Sequence, residues 1–231
     1  MSEKNFAEQR EQMVKRYIDA DLLEESSRLT KVMRKVPREA FMPGEHAGDS
    51  YSDDAFPVPP MSSRNQTISA PYTYPLFYNP LDLQRGDSFL EVGAGSGYGA
   101  ALAREMVGES GKVVTMEINP ETYRFARENL RSTGYGDVAA LEGDGSSGCP
   151  ERAPFDKIAV TAAAPRFLRP LKEQLATPGK IVAPIGSTSK GLSPLRGGQD
   201  LTLLERDPDG REQTRKIERV MYVPLKGEHG M

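Results

Sequence analysis

The chain has 231 residues, of which 37% are hydrophobic and 27% are charged, and its formal net charge is -3. This length suits one sizeable α/β domain and leaves little for a second core, so we expect a single domain over residues 1–231. The slightly negative charge gives no electrostatic reason to expect a nucleic-acid partner. Cys149 is the one cysteine, which excludes an internal disulfide and any multi-cysteine zinc site.

The sequence gives no sign of targeting or of a metal site. Residues 1–16 are charged throughout and lack the apolar core of a signal peptide, and no apolar run approaches membrane-spanning length. The two histidines, His46 and His229, lie far apart. We therefore expect a cytoplasmic monomer that needs no metal and has no membrane partner.

Hydrophobic spacing predicts two helices, within residues 4–19 and 29–36, ahead of the main domain. Residues 41–80 are rich in Pro, Ser, Asn and Tyr, and so long an irregular segment is usually functional or mobile. Within residues 81–231, strands and helices alternate. The predicted elements are strand 88–92, helix 97–107, strand 112–117, helix 120–132, strand 137–142, strand 155–161, helix 167–176 and strand 180–185.

This alternation predicts an α/β fold with a doubly wound, mostly parallel sheet. The last part of the chain has a different pattern. Residues 201–205 and 217–225, separated by the turn residues 207–210, predict an antiparallel strand pair.

A glycine-rich turn follows the first predicted strand of the sheet. Gly93, Gly95 and Gly97 stand at every second position after the acid Glu91, and glycine lets backbone approach a ligand closely. A dinucleotide would place its pyrophosphate at this corner, where Glu91 would repel it. S-adenosylmethionine carries a sulfonium and an ammonium and no phosphate, so the acid favours a cationic adenosyl ligand over NAD. The dinucleotide fingerprint also fails at Tyr98 when counted from Gly93. A purely structural turn would contain similar glycines.

The ends of the following strands carry further candidate ligand residues, because ligands of doubly wound sheets bind beyond the carboxyl ends of the strands. Glu117 ends the second strand and could accept hydrogen bonds from both hydroxyls of an adenosine ribose. Asp144, after the third strand, could accept one from the adenine amino group. The fourth strand ends in small residues from Thr161 onward, which would leave room for a ligand. Each feature also has a purely structural explanation. Glu117 could be a solvated acid, Asp144 could belong to a plain turn, and the small residues could let the fourth strand pack tightly.

A polar loop precedes the first strand, and its sequence is Asn65-Gln66-Thr67-Ile68-Ser69-Ala70-Pro71-Tyr72. With this loop the chain resembles the protein-L-isoaspartate (D-aspartate) O-methyltransferase family, whose segment reads roughly Gly-Gln-Thr-Ile-Ser-x-Pro-His-Met. Further matching motifs are Val36-Pro37-Arg38-Glu39, Gly143-Asp144-Gly145 and Val223-Pro224-Leu225-Lys226-Gly227. The resemblance covers roughly residues 30–227, and the loop around Ser69 is not shared by methyltransferases in general.

The resemblance implies transfer of the methyl group of S-adenosylmethionine to the α-carboxylate of isoaspartyl residues, with S-adenosylhomocysteine as the second product. The expected partners are isoaspartyl-containing proteins or peptides, whose ester then cyclises to a succinimide. An α-carboxyl group has a pKa of about 3.5, so the nucleophile is already ionised and needs no general base. Ser69 would be catalytic, donating a hydrogen bond to the acceptor carboxylate.

The resemblance also assigns the remaining site residues. The substrate-binding residues would be Thr67, Ile68, Ala70, Pro71 and Tyr72. The cofactor-binding residues would be Gln66, Glu91, Gly93, Ala94, Gly95, Ser96, Gly97, Tyr98, Glu117, Ile118, Asp144, Gly145 and Thr161.

Two departures from the family pattern lie beside the expected acceptor site. Tyr72 replaces the family's usual neighbour after Pro71, and residues 59–65 form a longer link without glycine, in which Arg64 could pair with an anionic acceptor. Two other functions therefore stay open. One is a carboxyl methyltransferase acting on a different peptide or small molecule, and the other is a cofactor-binding interaction module without turnover.

Overall fold

The computed structural model describes residues 3–61, 66–187 and 198–231. Its α-helices are α1 (Glu3–Asp19), α2 (Arg28–Lys35), α3 (Thr73–Leu81), α4 (Tyr98–Val107), α5 (Pro120–Ser132) and α6 (Arg169–Glu173). Its strands are β1 (Phe56–Pro57), β2 (Thr67–Ile68), β3 (Ser88–Val92), β4 (Lys112–Glu117), β5 (Ala139–Glu142), β6 (Phe155–Val160), β7 (Leu175–Ile185), β8 (Gln199–Arg206) and β9 (Glu212–Val220).

Seven of the described strands form one sheet in the order β5-β4-β3-β6-β7-β8-β9. The strands β3 to β7 are parallel, whereas β8 and β9 pair antiparallel at one edge. The chain runs outward from β3 to β5 and then returns to place β6 beside β3. The predicted α/β fold with a doubly wound, mostly parallel sheet is confirmed. The switch point between β3 and β6 is where such sheets bind ligands.

Two apolar clusters cover the faces of this sheet. Phe89 of β3 packs into the cluster that contains the buried residues of α1 to α4. The next residue, Leu90, packs into the cluster around α6 on the other face. Because successive side chains of a strand point to opposite faces, Glu91 lies on the same face as Phe89, where α4 covers it. The sequence of β3 therefore places one acid inside the protein beneath a helix.

The end of β4 is fixed by the start of α5. Asn119 caps this helix, and its side-chain oxygen accepts hydrogen bonds from the backbone of Glu121 at 3.0 Å and of Thr122 at 3.1 Å. Pro120 occupies the first turn, where its missing N–H costs nothing. The strand therefore ends at Glu117, and its side chain is held at the carboxyl edge of the sheet.

Some predicted boundaries differ from the observed ones. The helix predicted over 167–176 is α6, and β7 already begins at Leu175 because Phe155 of β6 pairs with it before a register shift. The strand predicted over 217–225 is β9, and it ends at Val220. The following residues pair instead with the extension of β6, where Leu225 N donates to Ala163 O at 2.8 Å. Residues 221–226 therefore cross the carboxyl edge of the sheet.

In the described part of the chain, no helix is both long enough and apolar enough to cross a membrane.

Candidate active site

A cavity of about 770 Å³ opens at the carboxyl ends of β3, β4 and β6. Most of its lining comes from three parts of the chain: the segment from Gln66 to Tyr78, the strand ends with the glycine turn, and residues 220–226. Sites for small molecules typically have volumes of a few hundred to about 1,000 Å³. The cavity is therefore large enough for an adenosyl ligand together with part of a second molecule.

The glycine turn is shaped by backbone that other residues would not adopt. Gly93 and Gly95 have φ angles of +104° and +55°. A Cβ on Gly93 would overlap the hydroxyl oxygen of Thr161, and one on Gly95 would approach the carbonyl oxygen of Thr67. Thr161 Oγ1 lies 2.8 Å from the carbonyl oxygen of Gly93 and fixes this turn from the end of β6. The turn presents bare backbone to the cavity.

Glu117 is held by the same turn. Its carboxylate oxygens accept hydrogen bonds from the backbone N–H of Gly95 at 3.2 Å and of Asn119 at 3.1 Å. Burial raises the pKa of Glu117, and these N–H donors act in the opposite direction. Each oxygen keeps a second lone pair, so the carboxylate suits two neighbouring ribose hydroxyls. The adjacent Ile118 is 39% exposed and offers an apolar face for a flat ring.

Glu91 lies deeper, against the first turn of α4. It is 3% exposed, and Thr115 Oγ1 donates a hydrogen bond to Glu91 Oε2 at 2.6 Å. Gly99 makes room for it, since a Cβ there would overlap Glu91 Oε1. Burial raises the pKa of Glu91 to about 8, and the neighbouring Glu117 acts in the same direction. A ligand cation nearby would stabilise the ionised form and lower this pKa again.

The loop around Ser69 forms the opposite wall of the cavity. It leaves the short strand β2, which pairs antiparallel with β1. The backbone carbonyl of Ser69 accepts a hydrogen bond from Arg38 Nη2 at 2.8 Å. Burial raises the pKa of Tyr222, while the nearby hydroxyl groups of Thr73 and Ser69 oppose the increase. Three residues with hydroxyl groups, Ser69, Thr73 and Tyr222, therefore line this part of the cavity.

Most of the predicted site residues are brought together in this cavity. Those that line it are Gln66, Thr67, Ile68, Ser69, Ala70, Tyr72, Glu91, Gly93, Ala94, Gly95, Ser96, Glu117, Ile118, Gly145 and Thr161. Arg64, predicted to pair with the acceptor, lies outside the described residues, as does most of the 59–65 link.

Four predicted residues do not line the cavity: Pro71, Gly97, Tyr98 and Asp144. Gly97 faces the backbone of α5. Tyr98 is fully buried, with its ring centroid 5.0 Å from that of Tyr74. The Asp144 carboxylate accepts hydrogen bonds from the backbone N–H of Ser146 at 2.8 Å and of Glu228 at 2.7 Å. Both carboxylate oxygens of Asp144 therefore bind backbone N–H groups of the protein, and its contact with an adenine ring stays a prediction.

An aromatic wall of the cavity was not predicted from the sequence. Tyr74, Phe77 and Tyr78 from α3 line the cavity together with Tyr222, and the rings of Phe77 and Tyr222 meet edge to face at 5.7 Å. The density of aromatic residues between 72 and 78 was an available signal. Nothing in the sequence connected that segment with residue 222.

In the described residues, no group of three or more His, Cys, Asp or Glu side chains is placed to hold a metal ion. The cavity instead combines a glycine turn, a carboxylate at the next strand end and a buried carboxyl group. On a doubly wound sheet with this strand order, these features define a class I S-adenosylmethionine-dependent methyltransferase.

Comparison with known proteins identifies the family. The model of the protein-L-isoaspartate (D-aspartate) O-methyltransferase family matches residues 8–230. A protein-L-isoaspartate O-methyltransferase of Aeropyrum pernix is 45% identical over 206 residues, which are 89% of this chain and 75% of that protein. Protein-L-isoaspartate O-methyltransferase 2 of Archaeoglobus fulgidus is 39% identical over 226 residues, 98% of this chain and 96% of the relative. The chain belongs to the protein-L-isoaspartate (D-aspartate) O-methyltransferase family.

Solved structures agree with this assignment. A protein-L-isoaspartate O-methyltransferase structure superposes with a TM-score of 0.78 at 26% identity, covering 96% of this chain and 67% of the other. The fold also matches a Plasmodium falciparum protein, described as a putative protein-L-isoaspartate O-methyltransferase in complex with S-adenosyl-L-homocysteine. That match has a TM-score of 0.75 at 20% identity and covers 93% of this chain and 97% of that one.

Proposed function

We propose that this protein transfers the methyl group of S-adenosylmethionine to the α-carboxylate of isoaspartyl residues in damaged proteins and peptides. The observation that carries the proposal is one continuous cavity with two chemically different walls. One wall has the acids and the glycine turn that suit an adenosyl ligand. The other has the Ser69 loop and the hydroxyl group of Tyr222.

The cofactor half fits S-adenosylmethionine in shape and charge. The turn at Gly93 and Gly95 has no room for a Cβ and lines the cavity with backbone, and the Glu117 carboxylate lies beside that turn. Buried Glu91 adds a second carboxyl group, which suits a cationic ligand. S-adenosylmethionine supplies an electrophilic methyl group on its sulfonium.

The acceptor half needs to position a nucleophile and has no proton to remove. An α-carboxylate is ionised at neutral pH, because its pKa is about 3.5. Histidine is absent from the described residues that line the cavity, which suits a reaction without a general base. We propose that the Ser69 hydroxyl donates a hydrogen bond to one carboxylate oxygen and so fixes which oxygen faces the methyl group.

The neighbouring residues would hold the peptide around that carboxylate. Thr67, Ile68, Ala70 and Tyr72 line the same wall, and the 39% exposed Tyr72 ring lies at the mouth. An isoaspartyl residue is linked to the next residue through its side-chain carboxyl group, so its α-carboxylate is free and could enter the cavity first. An ordinary aspartyl residue has its α-carboxyl group in a peptide bond, so it presents no carboxylate of that kind.

The proposal is tested with labelled S-adenosylmethionine and two peptides that differ only in one isoaspartyl or aspartyl linkage. Label should appear on the isoaspartyl peptide alone. Label on both peptides equally, or on neither, would contradict the proposed substrate.

The role of Ser69 is tested with Ser69→Ala. This variant should lose most transfer while binding S-adenosylhomocysteine with unchanged affinity in calorimetry. Ser132→Ala is the matched control, since Ser132 is exposed on α5 and its hydroxyl donates to Asn129 O at 3.1 Å. Full turnover in Ser69→Ala would remove Ser69 from the catalytic role.

A further inference from the structure

Arg38 is a fully buried arginine in the short helical segment Arg38–Phe41. Its Nε donates to the Ser50 carbonyl at 2.7 Å, and its Nη2 donates to the Ser69 carbonyl at 2.8 Å. Its Nη1 is buried and has no hydrogen-bond partner among the described residues. The guanidinium carbon lies 5.4 Å from the ring centroid of Tyr98.

Among the side chains that the structure describes, no carboxylate forms an ion pair with Arg38. Arg10 offers a contrast nearby, since its Nη2 pairs with Glu39 at 2.8 Å. Burying an unpaired charge costs free energy that a neutral side chain would save. An unpaired buried guanidinium therefore points to a use for its charge.

The field of Arg38 reaches the acceptor half of the cavity. Burial raises the pKa of Tyr74, and the positive charge of Arg38 is the largest opposing influence. Tyr74 lines the cavity, and Arg38 also holds the backbone of Ser69 on the same wall. Glu117 lies on the cofactor side of this cavity, and its carboxylate would repel an anionic acceptor. A cation behind the acceptor wall offsets that repulsion.

We propose that Arg38 is a positioning residue that fixes the Ser69 carbonyl and makes the acceptor half selective for an anionic carboxylate over a neutral analogue. Arg38 does this from behind the wall, without touching the substrate. The inference rests on the proposed function, because it assigns the acceptor to the Ser69 side of the cavity.

The test measures binding of two peptides to the protein saturated with S-adenosylhomocysteine. One peptide carries the isoaspartyl α-carboxylate, and the other carries an α-carboxamide in its place. The preference for the carboxylate should decrease by about tenfold in Arg38→Gln, which is neutral. Arg38→Lys should keep most of the preference, because it keeps the charge, and should lower turnover since an ammonium lacks the planar fork.

Arg10→Gln is the matched control. It removes a guanidinium that holds Glu39 and Tyr51, so thermal stability should decrease while the carboxylate preference stays at the wild-type value. The affinity for S-adenosylhomocysteine should be unchanged in every variant.

An unchanged preference in Arg38→Gln would overturn the inference. A tenfold loss of the preference in Arg38→Lys, which keeps the charge, would also overturn it, and this result decides the matter even if Arg38→Gln does not fold. A wild-type protein that binds neither peptide would instead refute the proposed function, so the two failures are distinguishable.

Discussion

Replacing Glu91 by glutamine should stabilise the ligand-free protein at neutral and alkaline pH. Glu91 is buried, and burial raises its pKa from 4.5 to about 8. Between these two values the folded protein holds a proton that the unfolded chain has released. The free energy of unfolding must therefore decrease as the pH rises from about 4.5 to about 8, and this loss is complete above pH 8.

The size of the effect follows from the shift. A pKa change from 4.5 to about 8 corresponds to about 5 kcal/mol, at about 1.4 kcal/mol per unit. About 3 kcal/mol of this loss is present at pH 7 and little at pH 5. The glutamine side chain cannot ionise, and its carbonyl oxygen can still accept the hydrogen bond that Thr115 donates to Glu91. Glu91→Gln should therefore be more stable than the wild type by about 3 kcal/mol at pH 7.

Urea unfolding of both proteins at about pH 5, 7 and 9 measures this difference. The advantage of the variant should increase with pH, with equal denaturant slopes. Glu142→Gln is the control, because Glu142 ends β5 and is exposed. Its curves should stay parallel to those of the wild type. Parallel curves for Glu91→Gln as well would refute the argument that Glu91 is buried with its proton.

Three further predictions concern the two walls of the cavity. Gly93→Ala should lower the free energy of unfolding by about 1–3 kcal/mol in urea titrations, because φ is +104° and the new Cβ overlaps Thr161; unchanged stability would contradict the strained turn. Glu117→Gln should weaken S-adenosylhomocysteine binding by about tenfold or more in calorimetry, since hydrogen bonds to a charged group are the stronger ones; equal affinity would remove it from the ribose site. Tyr222→Phe should bind S-adenosylhomocysteine normally but methylate an isoaspartyl peptide about tenfold more slowly, because the cavity wall beside Ser69 loses a hydroxyl group. A rate equal to that of the wild type would show that Tyr222 only fills space.

The parallel part of the fold could be predicted because its sequence pattern is local. The bounds of β3 and β4 are those predicted from their apolar runs and the turns that follow. The antiparallel edge was harder to predict from the sequence. β9 is polar and exposed along nearly its whole length, so it has no alternation of apolar and polar residues that would fix its register. The apolar residues 220–225 were predicted as part of the strand, whereas in the structure they line the cavity.

The site residues also divide into those that a local sequence pattern predicts and those that depend on contacts between distant parts of the chain. The glycine turn and Glu117 were predicted because each follows its own strand directly. Tyr222 could not be placed, since its contact with the Ser69 loop joins distant parts of the chain. Asp144 follows its strand as predicted, and the contact of its carboxylate with the backbone of Glu228 could not be predicted, because only the folded chain brings those residues together.

The two walls of the cavity also differ in how far apart their residues lie along the chain. The cofactor wall comes mainly from residues 91–161, whereas the acceptor wall joins residues 66–78 to residues 220–226. Contacts between distant residues must overcome the entropy of closing a long loop, so we expect the acceptor wall to form later in folding than the cofactor wall. A partly folded molecule would thus acquire its adenosyl site before its carboxylate site. S-adenosylmethionine bound to such a molecule would be exposed to water until residues 221–226 packed across the edge of the sheet.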